Sequence, residues 1–557
     1  MRGSQTRLMS ETESHSAPSP GPDGPTSPPR ERALSDSFKT RLAQLRTGKW
    51  GDEPLTKVLW RDAALRWILG FAVVALGIFN FARDLNDPPY AFWDESYYVT
   101  AVQRAEEHTA QYASHPPLGF MLMKIGRDIV GDGDPKSHFL TEIKKTDTRK
   151  IPATYSYVGP RLMGGLFGVI GALLFYGICL CLTREAFSAF IFSLLYLFEN
   201  AFIVHFRAIH LDPYQIAFAL GGILVWLRAF NDPRKDSWKH AALFGALIGL
   251  SFMVKVNTLV LLALTGLTIL RDLHRARWPM DRELKHGIVK SGAMLGAFGG
   301  VVVAVFVLHT LINPVAPDFK SEAGRRDGNY MSEPYKAWLE KRGPLTPGVL
   351  YDATSGYFAY MEHDFTGIVK TEKNGSIPAL WPVMHKTINY RWDSNHGKTS
   401  YVQMVGNVFS WGLGLFGILV ATGLIAQRHF QKKLWLDTHE MDILTAVLAM
   451  WAIFMGVHIF LGTQRVMYVY HYFTGLILSY MLLPLIYQVL KSRFKVIERQ
   501  KDFVLGGVCA GVTLCFIWFA PLTYHQPLTR AQCEMRNRPF HVLTCQPKPK
   551  PASDDKA

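Results

Sequence analysis

Apolar residues along this chain fall in blocks about twenty residues long, separated by short charged or Pro/Gly-rich intervals. That length is what a helix rising 1.5 Å per residue needs to cross the hydrocarbon of a bilayer. The blocks lie at 66–83, 158–182, 186–206, 208–228, 241–255, 256–271, 288–312, 405–426, 441–462, 467–490 and 503–522, which predicts an all-α polytopic membrane protein with about eleven transmembrane helices. The stretch 241–271 is long for one helix and short for two, and Lys255 and Asn257 at its middle predict a turn there. The pattern divides the chain into a tail (1–50), an N-terminal membrane module (51–312) holding a long loop at 84–157, a second long loop (313–404), a C-terminal membrane module (405–522) and a tail (523–557). Residues 1–50, with SAPSPGPDGPTSPPRER, bury too little apolar surface to offset ordering entropy and are expected to be disordered. Residues 38–66 are basic and partly amphipathic, which fits either a helix lying along headgroups or a solvated linker.

Charge changes this picture by adding orientation. The formal charge is +15, but Lys and Arg concentrate in the short loops near 228–240, 272–290, 427–440 and 491–502, the distribution expected of cytoplasmic loops rather than of a nucleic-acid surface. Nucleic acid is therefore excluded as a partner. The N-terminus is expected in the cytoplasm, and the two long loops and the C-terminal tail outside it. No secretory signal is visible, because polar sequence precedes the first apolar block, which reads as a retained anchor. Cys179, Cys181, Cys509 and Cys515 lie in apolar runs. Cys533 and Cys545 lie in the outward tail, where a disulfide is chemically permitted.

Ionisable residues in or beside spans are costly and mark candidate chemistry. Asp94 and Glu95, in FWDESYY, fall just beyond the first span. A stiffened corner, His115-Pro116-Pro117-Leu118-Gly119, follows. Under the predicted topology Arg161, Arg207, His210, Asp212, Lys255, His309, Arg465 and His471 all reach the same outward face. Carboxylates on one side and cations on the other predict a cavity able to hold a lipid-borne phosphate. Each residue has a plainer reading. Arg207 and Arg465 can snorkel, Asp94 can cap a helix, and His471 can be a bonded core histidine. His108, His115 and His138 match no tight ligand spacing, so neither metal nor cofactor is expected. No phosphate-binding loop, dinucleotide fingerprint or nucleophile elbow is legible.

WDESYY, HPPLG, the arginine of YVGPRLMGGLFGVIGALL, ENAFIVHFRAIHLDPYQIAF, GLSFMVKVN and YVYHYF occur in that order, and the chain resembles the protein O-mannosyltransferases of the GT-C glycosyltransferase class over roughly residues 66–525. The resemblance implies transfer of mannose from a polyprenyl-phosphate-mannose donor to Ser or Thr hydroxyls of exported proteins by an inverting single displacement. It implies Asp94 as the base, with Glu95 its neighbour, and Arg161 as the second-span arginine at the lipid phosphate. Lys255, His471, Arg207, His115 and Asp212 complete the expected phosphate and substrate set. A dimer partner or a secretion translocon is an implied associate. Two departures stand out. Phe120 occupies the place of a lysine that often follows HPPLG, with Lys124 one turn on. The loop 313–404 is too short for the β-trefoil MIR domain of eukaryotic members. That favours a bacterial-type enzyme of the plasma membrane over one of the endoplasmic reticulum, and the sequon Asn374-Gly375-Ser376 does not decide between them. Two alternatives remain: a GT-C transferase with a lipid or glycan acceptor, of the aminoarabinose type, and a transporter, for which no inverted repeat is found.

Overall fold

In the computed structural model the described residues are 49–50, 53–131, 133–144, 150–232, 235–275, 281–367, 371–431, 438–538, 543 and 545. The chain divides into two compact units, residues 1–65 and 66–557. In the first, a short strand β1 (Lys49–Trp50) pairs antiparallel with β2 (Glu53–Pro54). The tail expected to be disordered otherwise lies outside the described residues, as does most of the basic segment expected at the headgroups.

Every predicted block in the second unit is helical. Nine helices among the described residues are long and apolar enough to cross a membrane, among them Val158–Thr183, Asp212–Asn231, Val469–Lys491 and Lys501–Thr523. The block at 186–206 is instead two helices, Ala186–Leu197 and Asn200–Phe206, bent by 60°. The cause is Glu199, wholly buried, whose carboxylate accepts from the N–H groups of Ala201 and Asn407 and from the Tyr480 hydroxyl. Backbone groups freed by the break are thus met within the protein rather than exposed to lipid. The block at 241–255 is the helix Trp238–Phe252, 15 residues long and so only about 22 Å. It ends at the predicted turn, where Lys255 is extended (φ −158°) before a 3₁₀ turn over Val256–Leu262.

Burial ranks the helices. The Val469–Lys491 span has 89% of its most apolar window buried against 22% for Lys501–Thr523, so the first is central and the second faces lipid. Close approach at the centre depends on small residues: a Cβ on Gly165 would stand 2.5 Å from the Phe81 carbonyl oxygen.

The long loops are folded. The first forms helices Glu95–Glu106 and Leu118–Val130, with Pro117 at the N-cap of the second in a helical conformation (φ −78°, ψ −16°) rather than extended. The second carries helices Glu322–Gly328, Glu333–Lys341 and Pro347–Thr366 and then a hairpin. Strands β3 (Ile388–Asn395) and β4 (Lys398–Met404) flank His396-Gly397, both at positive φ (47° and 74°), as a two-residue hairpin turn requires. A short β5 (Pro527–Leu528) joins β4. The fold is thus mostly helical, with two small sheets among the described residues, β1–β2 and β3–β4–β5, that the all-α expectation lacked. Beyond it Cys533 and Cys545 are joined by a disulfide.

Candidate active site

Asp94 stands at the N-cap position of helix Glu95–Glu106, yet its side chain makes no capping bond, so the plainer reading of this residue is not what the geometry shows. The residue before it, Trp93, has φ +52°. A bulky side chain there is strained, and such strain concentrates at functional sites. The Trp93 indole stacks on Tyr390, centroids 5.2 Å apart, and Asp94 Oδ2 lies 3.5 Å from the Tyr470 hydroxyl. The carboxylate is thus held in an aromatic recess while remaining partly open.

Glu95 points the other way and is wholly buried. It forms a two-pronged pair with Arg161, Nε to Oε1 and Nη2 to Oε2, both 2.8 Å. It also accepts from the N–H groups of Phe92 and Ile209. Arg161 spends its remaining donors on the carbonyls of Leu85 and Pro88 (through Nη1) and Tyr90 (through Nη2). A guanidinium has five N–H groups, and all five are bonded. The expectation that Arg161 grips a phosphate and that Glu95 shares the chemistry gives way to a different placement. The pair ties the start of the first loop to the second span, behind Asp94.

The cation next to the Tyr470 ring is the buried Lys255. Its Nζ donates to Asp212 (2.9 Å to Oδ1), and Asp212 Oδ2 accepts from His205 Nε2 at 2.9 Å. Lys255 also lies 5.2 Å from the Tyr470 ring, and His205 stacks on that ring at 4.9 Å, so Tyr470 links the ion cluster to Asp94. Asp212 is therefore a partner of the cation rather than a second free acid. His471 Nδ1 accepts from the Tyr468 N–H, which in the neutral ring leaves its Nε2 as a donor. His115 is partly buried, and burial, with the charge of Lys255 beside it, pushes its imidazole down to about 3, so it is neutral at physiological pH. His210 stacks on His205 with ring centroids 4.0 Å apart.

Arg207 is not in this group. It donates to the carbonyls of Arg83 and Asp84 and lies over the Tyr524 ring at 4.9 Å, sharing no bonded partner with Asp212 or Lys255. Burial lowers its guanidinium to about 10. The single anion pocket expected from the sequence is thus divided: the Glu95–Arg161 pair bonds the Leu85 carbonyl, next along the chain from the Asp84 carbonyl that Arg207 holds, while Lys255 pairs with Asp212. Among the described residues no set of three or more His, Cys, Asp or Glu side chains is arranged to hold a metal.

Three residues at the site were not singled out from the sequence: His205, Tyr470 and Tyr390. The first two lie inside motifs already noted. Tyr390 lies far off in the second loop, and only the alternation of INYRWDSN marked it as strand.

A mostly helical membrane body with folded loops and a carboxylate beside a buried cation at their meeting point defines a GT-C-type protein. Its fold matches the solved structure of the S. cerevisiae protein O-mannosyltransferase Pmt1-Pmt2 complex bound to the sugar donor, with a TM-score of 0.66 over 86% of this chain and 92% of that one, at 13% identity. The dolichyl-phosphate-mannose-protein mannosyltransferase profile matches residues 71–312, and that of the C-terminal four TMM region of protein-O-mannosyltransferase matches residues 359–538. The chain belongs to the protein O-mannosyltransferase family. Among curated relatives, Protein O-mannosyl-transferase 2 of Danio rerio is 26% identical over 49% of this chain and 35% of its own length. Protein O-mannosyl-transferase 1 of Rattus norvegicus is 29% identical over 48% and 36%. The chain thus spans about a third of the length of these relatives.

Proposed function

We propose that this chain transfers mannose from a polyprenyl- or dolichyl-phosphate-mannose donor to Ser or Thr hydroxyls of polypeptides at the outward face of its membrane. The observation that carries this reading is the placement of the Asp94 carboxylate one aromatic ring, Tyr470, away from the buried Lys255–Asp212–His205 cluster. A hydroxyl is a weak nucleophile, and Asp94 accepts its proton as the oxygen attacks the anomeric carbon. The bond from that carbon to the phosphate oxygen breaks, and the electron pair leaves on the phosphate. Lys255 and the Nε2–H of His471 stabilise that charge, with neutral His115 beside them. A single displacement inverts the anomeric centre. Glu95 and Arg161 act as positioning residues, holding the loop that presents Asp94.

The Cys533–Cys545 bridge supports a C-terminal tail facing an oxidising compartment and, with the basic short loops, an N-terminus in the cytoplasm. The short second loop supports a bacterial-type enzyme of the plasma membrane. The paired state of the S. cerevisiae complex supports a dimer partner. The test is incubation of membranes containing the full chain with labelled polyprenyl-phosphate-mannose and a Ser/Thr-rich peptide. Label is expected on the peptide; label found in lipid or glycan alone rejects the protein acceptor.

A further inference from the structure

Tyr390 lies at an irregularity. The β3–β4 ladder pairs Asn389 with Gln403 and Arg391 with Val402, so two neighbours on β4 face three residues on β3 and Tyr390 is the extra one. A bulge of this kind bends its strand and is frequent beside active sites. The Tyr390 side chain, on the buried face with Ile388, stacks on Phe92 and Trp93, the two residues before Asp94. Its hydroxyl lies 2.7 Å from Nδ1 of His205. Arg391, next along the strand, covers the Tyr90 ring at 3.5 Å and pairs with Asp393, so the hairpin is docked on the first loop independently of Tyr390.

The hydrogen bonds assign the protons. An ionised carboxylate only accepts, so the 2.9 Å contact from His205 Nε2 to Asp212 places a proton on Nε2. In the neutral ring Nδ1 is then a bare acceptor, and the phenol must donate to it. Burial, with Asp94 and Asp212 close by, pushes the Tyr390 hydroxyl well above its ordinary value and keeps that proton in place. We infer that Tyr390, on the bulged strand of the second outward loop, is a positioning residue for the sugar-donor site, fixing the His205 tautomer so that Asp212 stays aligned on Lys255.

The coupling runs through contacts already described. His205 stacks on Tyr470, which touches the Asp94 carboxylate on one side and Lys255 on the other. A His205 ring free to exchange tautomers or turn would move the group that holds the leaving phosphate and disturb the wall beside the base. The second loop thereby has a direct hold on chemistry assigned to the membrane module.

The inference rests on the mannosyl-transfer reading for its kinetic arm only. In the full-length protein in nanodiscs, nitrogen NMR of labelled histidines, with the His205 signal assigned by its loss in His205→Asn, is expected to show Nδ1 unprotonated and hydrogen-bonded and Nε2 protonated. Tyr390→Phe keeps both ring stacks and is expected to abolish the hydrogen-bonded Nδ1 signature. It should raise the KM for the lipid-phosphate sugar about tenfold, the size of losing a partner for one buried polar atom, while the KM for the acceptor peptide is unchanged. Combined with His205→Asn, Tyr390→Phe is expected to add nothing further, because both act through one contact. A wild-type Nδ1 signature in Tyr390→Phe, or equal rises in both KM values, overturns the inference. Absence of transfer by the wild-type protein overturns the mannosyl-transfer reading instead and leaves the NMR arm to judge Tyr390.

Discussion

Replacing Arg161 by Met removes a guanidinium that is 1% exposed and has all five N–H groups bonded, two to Glu95 and three to the carbonyls of Leu85, Pro88 and Tyr90. Met fills similar volume, so the loss is electrostatic and not a cavity. Breaking a buried ion pair from one side leaves the other charge uncompensated and costs about 3–5 kcal/mol. Glu95 keeps only the N–H groups of Phe92 and Ile209 as partners. The orphaned carbonyls add to the loss wherever water fails to reach them. The double variant Glu95→Gln/Arg161→Met carries no unpaired charge and is expected to recover about half of this loss. Thermal unfolding of the full-length protein in detergent, followed by a thiol-reactive dye that reports exposure of the fully buried Cys179, measures it. The expected order of midpoints is wild type, then the double variant, then Arg161→Met, with donor affinity falling only as far as the first loop loosens. A normal midpoint for Arg161→Met together with lost donor affinity would falsify this reasoning and return Arg161 to the phosphate.

Asp94→Asn keeps the size and polarity of the side chain and should leave the melting midpoint near that of wild type, while transfer falls about 10²- to 10⁴-fold, the usual worth of a positioned base; near-normal turnover in the peptide assay removes Asp94 from that role. His115 is held at about 3 against its ordinary 6.5, so between those values the unfolded chain binds the extra proton and stability declines as pH falls from about 6.5 toward 3. His115→Asn should flatten that acid limb in midpoints recorded against pH, and an unchanged slope counts against the burial argument. Cys533→Ser opens a loop spanning a separation of 12 residues and should destabilise the tail by about 3 kcal/mol, read as faster proteolysis near Arg530–Asn537 with the spans still protected. Equal cleavage rates with and without the bridge would contradict this.

The place of the apolar blocks, the turn at Lys255, the candidacy of Asp94 and the possibility of a bridge between Cys533 and Cys545 were legible in the sequence by itself, whereas the expected count of about eleven spans was not met by the nine span-length helices among the described residues. Each depends on local information: the match between segment length and bilayer thickness, a charge interrupting an apolar run, or two cysteines alone in one tail. Even the hairpin left a local trace in the alternation around His396-Gly397. Which charge meets which is a different kind of fact. Arg161, Arg207 and Lys255 are all candidates to hold an anion when read along the chain, Arg207 with snorkelling as its plainer reading, yet the fold gives the first to Glu95, places the second among the carbonyls of Arg83 and Asp84, and sets Lys255 beside Asp212. In a low-dielectric interior a charge binds the partner that three-dimensional packing brings within about 3 Å, and distance along the chain carries almost no information about that choice. Tyr390 is the extreme case. A residue 185 positions from His205 arrives at its ring from the second loop, and only the closed tertiary structure decides which ring its strand meets.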